Sequence, residues 1–434
     1  MIRRVSSFEA NRRPPSDSLI ELGVERLGAG GDGIAQHGGE PVFLPFTVPG
    51  DRVRARLGPR RGGGREGRVV EWLDTGKGRA APPCPHFGYC GGCALQHLDP
   101  ASYRAFKLGV LHTALERVGI DPGVVQSLRV VPPVRRRAQL GLIRPRDPRL
   151  PARVGFHERF RHELVDLREC LVLEPALFSI VYELRVIACD LVPPSGAAEV
   201  TLTRTDSGVD MLLEAAQRPG LGVLEALAAL AEKCDLARVV WRLPAEEVLV
   251  VERRPVRVVF SGIAVPFPSG GFLQASAAAE AILIEEVVGG IGPSRPVLDL
   301  YAGLGTFTFA LAAGGAVHAV EGDEDAVVAL TRVGAGHPNV SVERRDLACN
   351  PLRPEELAAY TAAVFDPPRI GAINQATELA NSTIATIVAV SCNPATFARD
   401  AARLIAGGLH LERIVPVDQF VWTPHLELAA TFRR

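Results

Sequence analysis

The stretch that decides the fold is VLDLYAGLGTFTFALA, residues 297–312. It reads as a short buried strand, a glycine turn and the first turns of a helix. Gly303 and Gly305 allow the backbone to approach a ligand, and the helix amino terminus after them favours negative charge. One turn of this kind is a weak signal, so its meaning depends on the rest of the chain.

Strand and helix patterns alternate from about residue 276 to the end. The strand-like segments after the glycine turn are AVHAVEG (316–322), VSVERRD (340–346), AAVFDPP (362–368) and TIVAVSC (386–392). Such alternation predicts an α/β fold with a parallel sheet and helices on both faces. Residues 409–434 predict a closing antiparallel hairpin.

Acidic residues stand where several of these strands end. Glu321 ends the strand after the glycine turn, where a carboxylate can bind a ribose diol, and Asp346 and Asp366 end two later strands. The turn lacks the third glycine of the dinucleotide fingerprint, which favours S-adenosylmethionine over NAD. The plain alternative is that these carboxylates only cap turns and helices.

The bulk composition indicates a soluble protein of several domains. The chain has 434 residues, 47% hydrophobic and 22% charged, with a net charge of -1. No apolar stretch approaches the ~20 residues that span a bilayer, and the basic amino terminus lacks the apolar core of a signal peptide. We therefore expect a cytoplasmic protein whose eight cysteines are not disulfides.

The first 75 residues predict a small domain that binds nucleic acid. Residues 1–17 read as a disordered arm, and residues 18–75 as short strands with glycine turns, a small OB-like β-barrel. Arginines cluster in 52–68 and again in 129–153, which can form a phosphate-binding face or can be scattered, solvated side chains.

A cysteine-rich segment opens the middle of the chain, which we assign to residues 76–265. Cys84, Cys90 and Cys93 lie close together and Cys170 follows at a distance; this set suits a tetrahedral thiolate site, with zinc and a [4Fe–4S] cluster both possible. The pattern predicts an α+β domain with a helix at 101–119, strands at RAQLGLI, ARVGFHE and HELVDL, and a helix at 175–193. Three other cysteines, Cys189, Cys234 and Cys349, have no motif around them.

A further cysteine, Cys392, lies at the tip of a strand in SCNPATFARD, residues 391–400. A buried free thiol needs no function. A thiol at the carboxyl end of a parallel strand, however, lies where ligands bind in such sheets.

Several motifs, taken together, resemble the RNA 5-methyluridine methyltransferase family, especially its bacterial 23S rRNA branch with a TRAM barrel and an iron–sulfur cluster. The barrel segment PFTVPGDRVRA resembles a TRAM domain. The other motifs are Cys-x5-Cys-Gly-Gly-Cys, GGFLQAS (270–276), DLYAGLGTF, DPPRIG (366–371), SCNPATFARD and TPHLE (423–427). The resemblance covers about residues 18–434 and implies a Rossmann-like methyltransferase domain at 266–434.

The resemblance also implies roles for individual residues. Cys392 would be the nucleophile and Glu427 the base. The cluster ligands would be Cys84, Cys90, Cys93 and Cys170, and the S-adenosylmethionine contacts would be Gln274, Tyr301, Thr306, Glu321, Asp346 and Asp366. Two departures from the family pattern are Thr306, often Asn in relatives, and Val421, which replaces a proline in the segment before Glu427.

These roles describe one reaction. Addition of a thiolate to C6 of uracil makes C5 nucleophilic toward a methyl sulfonium, and a base then removes the C5 proton. The target uridine must leave its stack, and the barrel and the arginines would hold the RNA. Amino-group methylases resemble one another in an Asn-Pro-Pro-aromatic motif at this position. Here Asp366 and Arg369 occupy it, and together with a nucleophilic cysteine they favour ring carbon over amino nitrogen as the methylated atom.

We expect a monomer that acts on 23S rRNA. The alternatives are the same chemistry on the tRNA T-loop, and an RNA-binding protein that keeps the fold without the activity. His425, close to Glu427, is interpreted as a structural hydrogen-bonding residue.

Overall fold

The computed structural model describes residues 19–147, 149–159 and 163–434. The arm predicted at 1–17 lies outside the described residues. The chain divides into two compact units, one of residues up to Pro82 with Ala94–Phe106, and the other of Pro83–Cys93 with Lys107–Arg434. The sequence-based boundaries at 18, 76 and 266 stay predictions. None of the described helices is long and apolar enough to span a membrane.

The first unit contains one six-stranded sheet. Its strands are β1 (Ile20–Gly23), β2 (Arg26–Leu27), β3 (Gly33–His37), β4 (Glu40–Leu44), β5 (Arg52–Arg61) and β6 (Gly64–Asp74), in the order β1-β5-β6-β4-β3-β2. The pairings are antiparallel except for β4 with β6, which run parallel. Alternate apolar residues such as Leu22, Val42 and Val53 fill a small core. The strands and glycine turns predicted here are therefore present.

The middle of the chain forms a second six-stranded sheet with two helices. The elements from residue 100 to residue 266 are α1 (Pro100–Glu116), β7 (Arg129–Val130), β8 (Arg137–Ile143), β9 (Arg153–Gly155), α2 (Pro175–Leu191), β10 (Ala197–Thr205), β11 (Gly208–Glu214), α3 (Leu221–Lys233), β12 (Leu236–Arg242), β13 (Glu247–Glu252), β14 (Arg257–Phe260) and β15 (Ile263–Pro266). The sheet order is β13-β12-β11-β10-β8-β9, and β14 pairs with β15 alone. Helices α2 and α3 bury apolar side chains against this sheet.

One strand predicted in this region is wrong. The segment HELVDL forms only an isolated bridge between Leu164 and His157, and His162 lies outside the described residues. The segment instead supplies single backbone bonds, from Val165 to Phe156 and from Leu167 to Val154. Its apolar residues Leu164 and Leu167 are buried in a loop, and a short segment with several apolar residues is easily taken for a strand.

The last part of the chain is the α/β domain that the glycine turn predicts. Its elements are α4 (Ala277–Ile291), β16 (Val297–Leu300), α5 (Thr308–Ala312), β17 (Val317–Glu321), α6 (Glu324–Gly334), β18 (Val340–Arg344), α7 (Pro354–Leu357), β19 (Ala362–Phe365), α8 (Ile373–Ala380), β20 (Thr386–Ser391), α9 (Pro394–Ala406), β21 (His410–Asp418) and β22 (Glu427–Arg433). The sheet order is β18-β17-β16-β19-β20-β22-β21-β7.

Strands β16–β20 are parallel, and β22 pairs antiparallel with both β20 and β21. Successive residues of a strand enter different cores: Ala363 and Phe365 pack with α8 and α9, whereas Ala362 and Val364 pack with α4. Helices on both faces explain why every residue of the central strands β16, β19 and β20 is buried. The strand order turns back on itself between β16 and β19, the position where such sheets bind ligands at their carboxyl ends.

Candidate active site

The glycine turn after β16 is held in place by Glu321. The carboxylate of Glu321 accepts the backbone N–H of Gly303 at 2.7 Å and the N–H groups of Gly322 and Asp323 at 2.6 and 2.8 Å. Gly305 has φ +91°, and a Cβ there would lie 2.7 Å from Phe309, so this turn requires glycine. Glu321 therefore fixes the conformation of the turn, and this role is separate from any contact with a ligand.

The residues predicted to contact the cofactor lie at the carboxyl ends of neighbouring parallel strands. Tyr301 follows β16, Glu321 ends β17, Asp346 lies just beyond β18 and Asp366 follows β19; Thr306 lies in the glycine turn. Burial and the nearby carboxylates of Asp400, Asp346 and Glu321 raise the pKa of Tyr301.

The backbone at Tyr301 has φ +61°, a region that non-glycine residues occupy rarely and at a cost of about 1–3 kcal/mol, commonly at functional sites. The sheet thus gathers the predicted contacts at one edge, and the strain at Tyr301 lies at the same edge.

Sequence reasoning missed Asp299, which lies inside β16. Asp299 is buried; one carboxyl oxygen accepts the Thr308 hydroxyl at 2.5 Å, and the other has no hydrogen-bond partner within the described residues. Burial, with the charges of Asp366 and Glu321, raises its pKa to about 7. An acidic residue in the middle of an apolar strand was the signal that could have identified it.

Cys392 lies directly after β20, at the same edge as Asp366. The thiol is half-buried, and its pKa is raised to about 11 by burial and by the carboxylates of Glu427 and Asp366, while Arg369 acts to lower it. The structure therefore brings the predicted nucleophile and the predicted base together, although they are 35 positions apart in the sequence.

Two glutamines connect the two carboxyl groups. Gln274 Nε2 donates to Asp366 Oδ2 at 3.2 Å, and Gln419 Nε2 donates to Gln274 Oε1 at 2.8 Å and to Glu427 Oε2 at 2.5 Å. Gln274, Gln419 and Glu427 are at most 5% exposed. Gln274 was predicted from the resemblance to a family motif, whereas Gln419 was missed because it belongs to none of the motifs that were recognised.

The two carboxyl groups hold protons more tightly than usual. Burial raises the pKa of Asp366 to about 7. Burial and the charge of Asp366 raise the pKa of Glu427 well above its ordinary value, against the hydrogen bond from Gln419. Like charges brought together in a desolvated site disfavour double ionisation. A carboxyl group with such a pKa suits general acid–base catalysis near neutral pH.

The loop between Gln419 and Glu427 is fixed by a buried ion pair that the sequence did not reveal. Lys107 Nζ donates to Asp418 Oδ1 at 2.7 Å, to the Phe420 carbonyl at 3.4 Å and to the His425 carbonyl. Both side chains of the pair are fully buried. The loop therefore has anchors at both ends without the proline that Val421 replaces.

His425 remains neutral in this loop. Its ring nitrogen Nδ1 lies 3.0 Å from Arg369 Nη2, and burial together with Arg369 and other nearby cations lowers its pKa to about 4. A neutral ring that contacts a guanidinium matches the predicted structural role.

The four predicted cluster ligands are neighbours in the second unit. Burial above all raises the pKa of Cys90, to about 12, and the nearby Cys93, Cys170 and Cys84 each add to this rise. Residues 19–147, 149–159 and 163–434 nevertheless contain no group of three or more His, Cys, Asp or Glu side chains in a geometry that could hold a metal ion. The other three cysteines lie elsewhere: Cys189 and Cys349 are exposed and Cys234 is half-buried.

Most arginines of the first cluster already have acidic partners. Arg52 pairs with Asp74, Arg54 with Glu21 and Glu71, and both Arg60 and Arg65 with Glu40. Arg56 and Arg68 lie opposite each other on β5 and β6, and neither has an acidic partner in the described part of the chain.

Arginines of the second cluster also serve the fold. Arg136 pairs with Glu280, and Arg135 donates to the backbone carbonyls of Gly92 at 3.4 Å and Val421 at 3.5 Å. The number of arginines that can meet phosphate is therefore smaller than the sequence suggests.

Comparisons with known proteins show which family the sequence resembles. A family model described as tRNA (uracil-5-)-methyltransferase matches residues 257–434. A Brucella suis protein named as an RNA methyltransferase is 39% identical over 96% of this chain and 99% of its own length. The 23S rRNA (uracil(1939)-C(5))-methyltransferase RlmD of Chromohalobacter salexigens is 34% identical over 94% of this chain and 87% of its own.

A solved structure shares the fold. The Pyrococcus abyssi tRNA (uracil-54, C5)-methyltransferase, in complex with S-adenosyl-L-homocysteine, superposes with a TM-score of 0.70 at 22% identity, covering 95% of this chain and 100% of its own. Extended identity to named RNA methyltransferases and the match of the family model lead to one conclusion. The chain is an RNA methyltransferase of the tRNA (uracil-5-)-methyltransferase family.

Proposed function

We propose that this protein methylates C5 of a uridine in 23S rRNA with S-adenosylmethionine as methyl donor. The observation that carries the proposal is the convergence of Cys392, Glu427 and Asp366 at the carboxyl edge of the sheet. Amino-group methylation needs no nucleophilic thiol, whereas methylation of a pyrimidine ring carbon does, because C5 must first be made nucleophilic.

In this proposal Cys392 adds to C6 of the uracil. The sulfur–C6 bond forms as electron density moves toward C5 and O4. C5 then takes the methyl group of S-adenosylmethionine, and the electron pair of the broken sulfur–methyl bond leaves with S-adenosylhomocysteine. Glu427 removes the proton from C5, and the sulfur–C6 bond breaks to regenerate the double bond. A carboxylate with a raised pKa is a stronger base than an ordinary one, which suits Glu427 to this step.

The thiol of Cys392 must lose its proton before it can attack. With a pKa of about 11 it is protonated in the free protein at neutral pH, and Glu427 and Asp366, when they are ionised, oppose its ionisation. Arg369 is the cation that favours the thiolate. Binding of RNA therefore has to leave Arg369 facing the thiol.

The methyl donor would lie along the strand ends, against Gln274, Tyr301, Thr306, Glu321, Asp346 and Asp366. The chemistry of this set fits the donor: Glu321 and Asp346 can accept from hydroxyl or amino groups, and the turn at Gly303–Gly305 allows close backbone approach. The unpartnered oxygen of Asp299 lies within the strand beneath this edge.

Sequence identity to the Chromohalobacter 23S rRNA enzyme over 94% of the chain supports rRNA as the substrate class. The test is transfer of labelled methyl from S-adenosylmethionine to unmodified rRNA and tRNA offered separately, with wild type and Cys392→Ala. We expect 5-methyluridine in rRNA with wild type alone. Label only in tRNA would overturn the substrate, and label with Cys392→Ala would overturn the mechanism.

We also propose that Cys84, Cys90, Cys93 and Cys170 hold a [4Fe–4S] cluster that organises the segment around them. Burial and the neighbouring cysteines raise the pKa of Cys90, so ionisation of the four thiols together would need a compensating cation, which a metal centre would supply. Anaerobically purified protein should then contain iron and sulfide and absorb broadly near ~400 nm. Cys170→Ser should lose this absorbance, whereas the exposed control Cys189→Ser should keep it. Zinc in place of iron would contradict the cluster.

The sheet of the first unit is proposed to be a TRAM barrel that contacts RNA. Arg56 and Arg68 are the arginines of its long hairpin best placed to meet phosphate, because they lie side by side without acidic partners among the described residues. Like charges directly opposite on a ladder are unfavourable until an anion binds between them.

A further inference from the structure

The thiol chemistry at Cys392 does not by itself distinguish uracil from cytosine, because both rings accept a nucleophile at C6 and both become nucleophilic at C5. Another group in the site must therefore distinguish uracil from cytosine. The two pyrimidines differ on the edge next to C5: uracil has O4 as an acceptor and N3–H as a donor, whereas cytosine has an amino donor and N3 as an acceptor.

A buried amide oxygen beside Glu427, the proposed general base, has no hydrogen-bond donor among the described residues. Gln419 is 2% exposed, and its Oε1 has no hydrogen-bond partner within residues 19–147, 149–159 and 163–434. A buried amide oxygen without a partner costs free energy comparable to a lost hydrogen bond, so a bound ligand is the expected source of a donor. The side chain lies one residue after β21, beside the start of β22 where Glu427 stands.

The orientation of this amide is fixed by its neighbours. The Asp366 carboxyl accepts from Gln274 Nε2, which turns Gln274 Oε1 toward Gln419. Gln419 Nε2 then donates both protons, one to Gln274 Oε1 and one to Glu427 Oε2. A flipped amide would bring its oxygen against Gln274 Oε1, which can only accept. Oε1 is therefore held as a pure acceptor.

Resting on the proposed function, we infer that Gln419 Oε1 accepts the N3–H of the target uracil and thereby determines specificity for uridine. Uracil has one ring N–H donor in a nucleoside, and it lies two ring atoms from C5, the carbon from which Glu427 removes the proton. In the same pose cytosine would present the N3 lone pair to Oε1, and two acceptors would face each other in a desolvated site. The amide thus rejects cytidine as well as binding uridine.

The test measures base preference separately from turnover. Stem–loops that contain the methylated position carry 5-fluorouridine or 5-fluorocytidine at that position. Thiolate addition and methyl transfer to C5 leave fluorine where the removable proton would be, so the adduct persists and Glu427 is not needed to form it. The readout is the rate of formation of the denaturation-stable complex on each stem–loop.

Wild type should favour the 5-fluorouridine stem–loop by at least about 100-fold, and Gln419→Met should reduce that ratio by about 10-fold or more. The control Gln375→Met removes another buried glutamine, whose amide binds both backbone groups of Leu352, and should leave the ratio unchanged. If Gln419→Met forms no covalent complex, the ratio is read from the dissociation constants of the two stem–loops, which require no chemistry.

An unchanged ratio in Gln419→Met would overturn the inference, as would a wild type that reacts equally with both stem–loops. A wild type that forms no complex with either stem–loop would instead contradict the proposed function.

Discussion

Removing the Lys107 ammonium should destabilise the second unit strongly. The side chains of Lys107 and Asp418 are fully buried, 2.7 Å apart, and the same ammonium donates to the carbonyls of Phe420 and His425. Breaking a buried ion pair by removing one partner costs about 3–5 kcal/mol, because the remaining charge stays in a medium that solvates it poorly. Lys107→Met should lose that much stability and also methyl-transfer activity, since the loop beside Glu427 loses an anchor.

The free energy of unfolding is measured by urea unfolding, and then by calorimetry, for wild type, Lys107→Met, Asp418→Leu and the double variant. Replacing a buried pair by apolar side chains is often close to neutral, so the double variant should be more stable than Lys107→Met by roughly 2 kcal/mol or more. A cost below about 1 kcal/mol for Lys107→Met, or strictly additive costs in the double variant, would refute the role given to this pair.

Three further predictions concern individual contacts. Burial raises the pKa of Asp299 from 3.8 to about 7, so the folded protein binds this proton more tightly than the unfolded chain does, and the contribution of Asp299 to stability falls as pH rises from about 4 to 7. Asp299→Asn should remove this contribution, up to about 4 kcal/mol, from the pH dependence of unfolding, and parallel pH–stability curves for the two proteins would contradict it. Arg369→Ala should raise the pKa of Cys392 further and slow its alkylation by iodoacetamide at pH 9, measured by peptide mass spectrometry; an equal or faster rate would exclude Arg369 as the activating cation. The glutamate of Arg68→Glu should pair with Arg56 and stabilise the first unit by about 0.5 kcal/mol. The slope of the logarithm of the RNA-binding constant against the logarithm of salt concentration should fall in magnitude by about one. An unchanged slope would exclude this hairpin from the RNA contact.

The sequence predicted those features that depend on local pattern. Glycine turns, strand ends and apolar runs are local, so the parallel order of strands and the placement of Glu321, Asp366 and Cys392 at one edge could be inferred before the structure was known. The strand predicted at HELVDL was wrong for the same reason: local pattern does not distinguish a short apolar strand from a loop whose apolar side chains are buried.

Features that depend on distant pairing could not be predicted. Lys107 and Asp418 are 311 positions apart, and nothing near either residue marks it as a partner of the other. Gln419 Oε1 has no donor among the described residues because Gln274 and Glu427 both accept from the amide nitrogen of Gln419 and so fix which way the amide group faces. Arginine clusters likewise overstate the free positive charge, since cross-strand carboxylates neutralise most of the first cluster.

Isolation of the covalent intermediate tests directly whether Cys392 is the nucleophile and Glu427 the base. Glu427→Gln cannot remove the proton from C5, so incubation with S-adenosylmethionine and unmodified rRNA should leave RNA attached to the protein. Digestion and mass spectrometry should then find a methylated uridine on the peptide that contains Cys392. No attached RNA, or attachment at another thiol such as the exposed Cys349, would contradict the account.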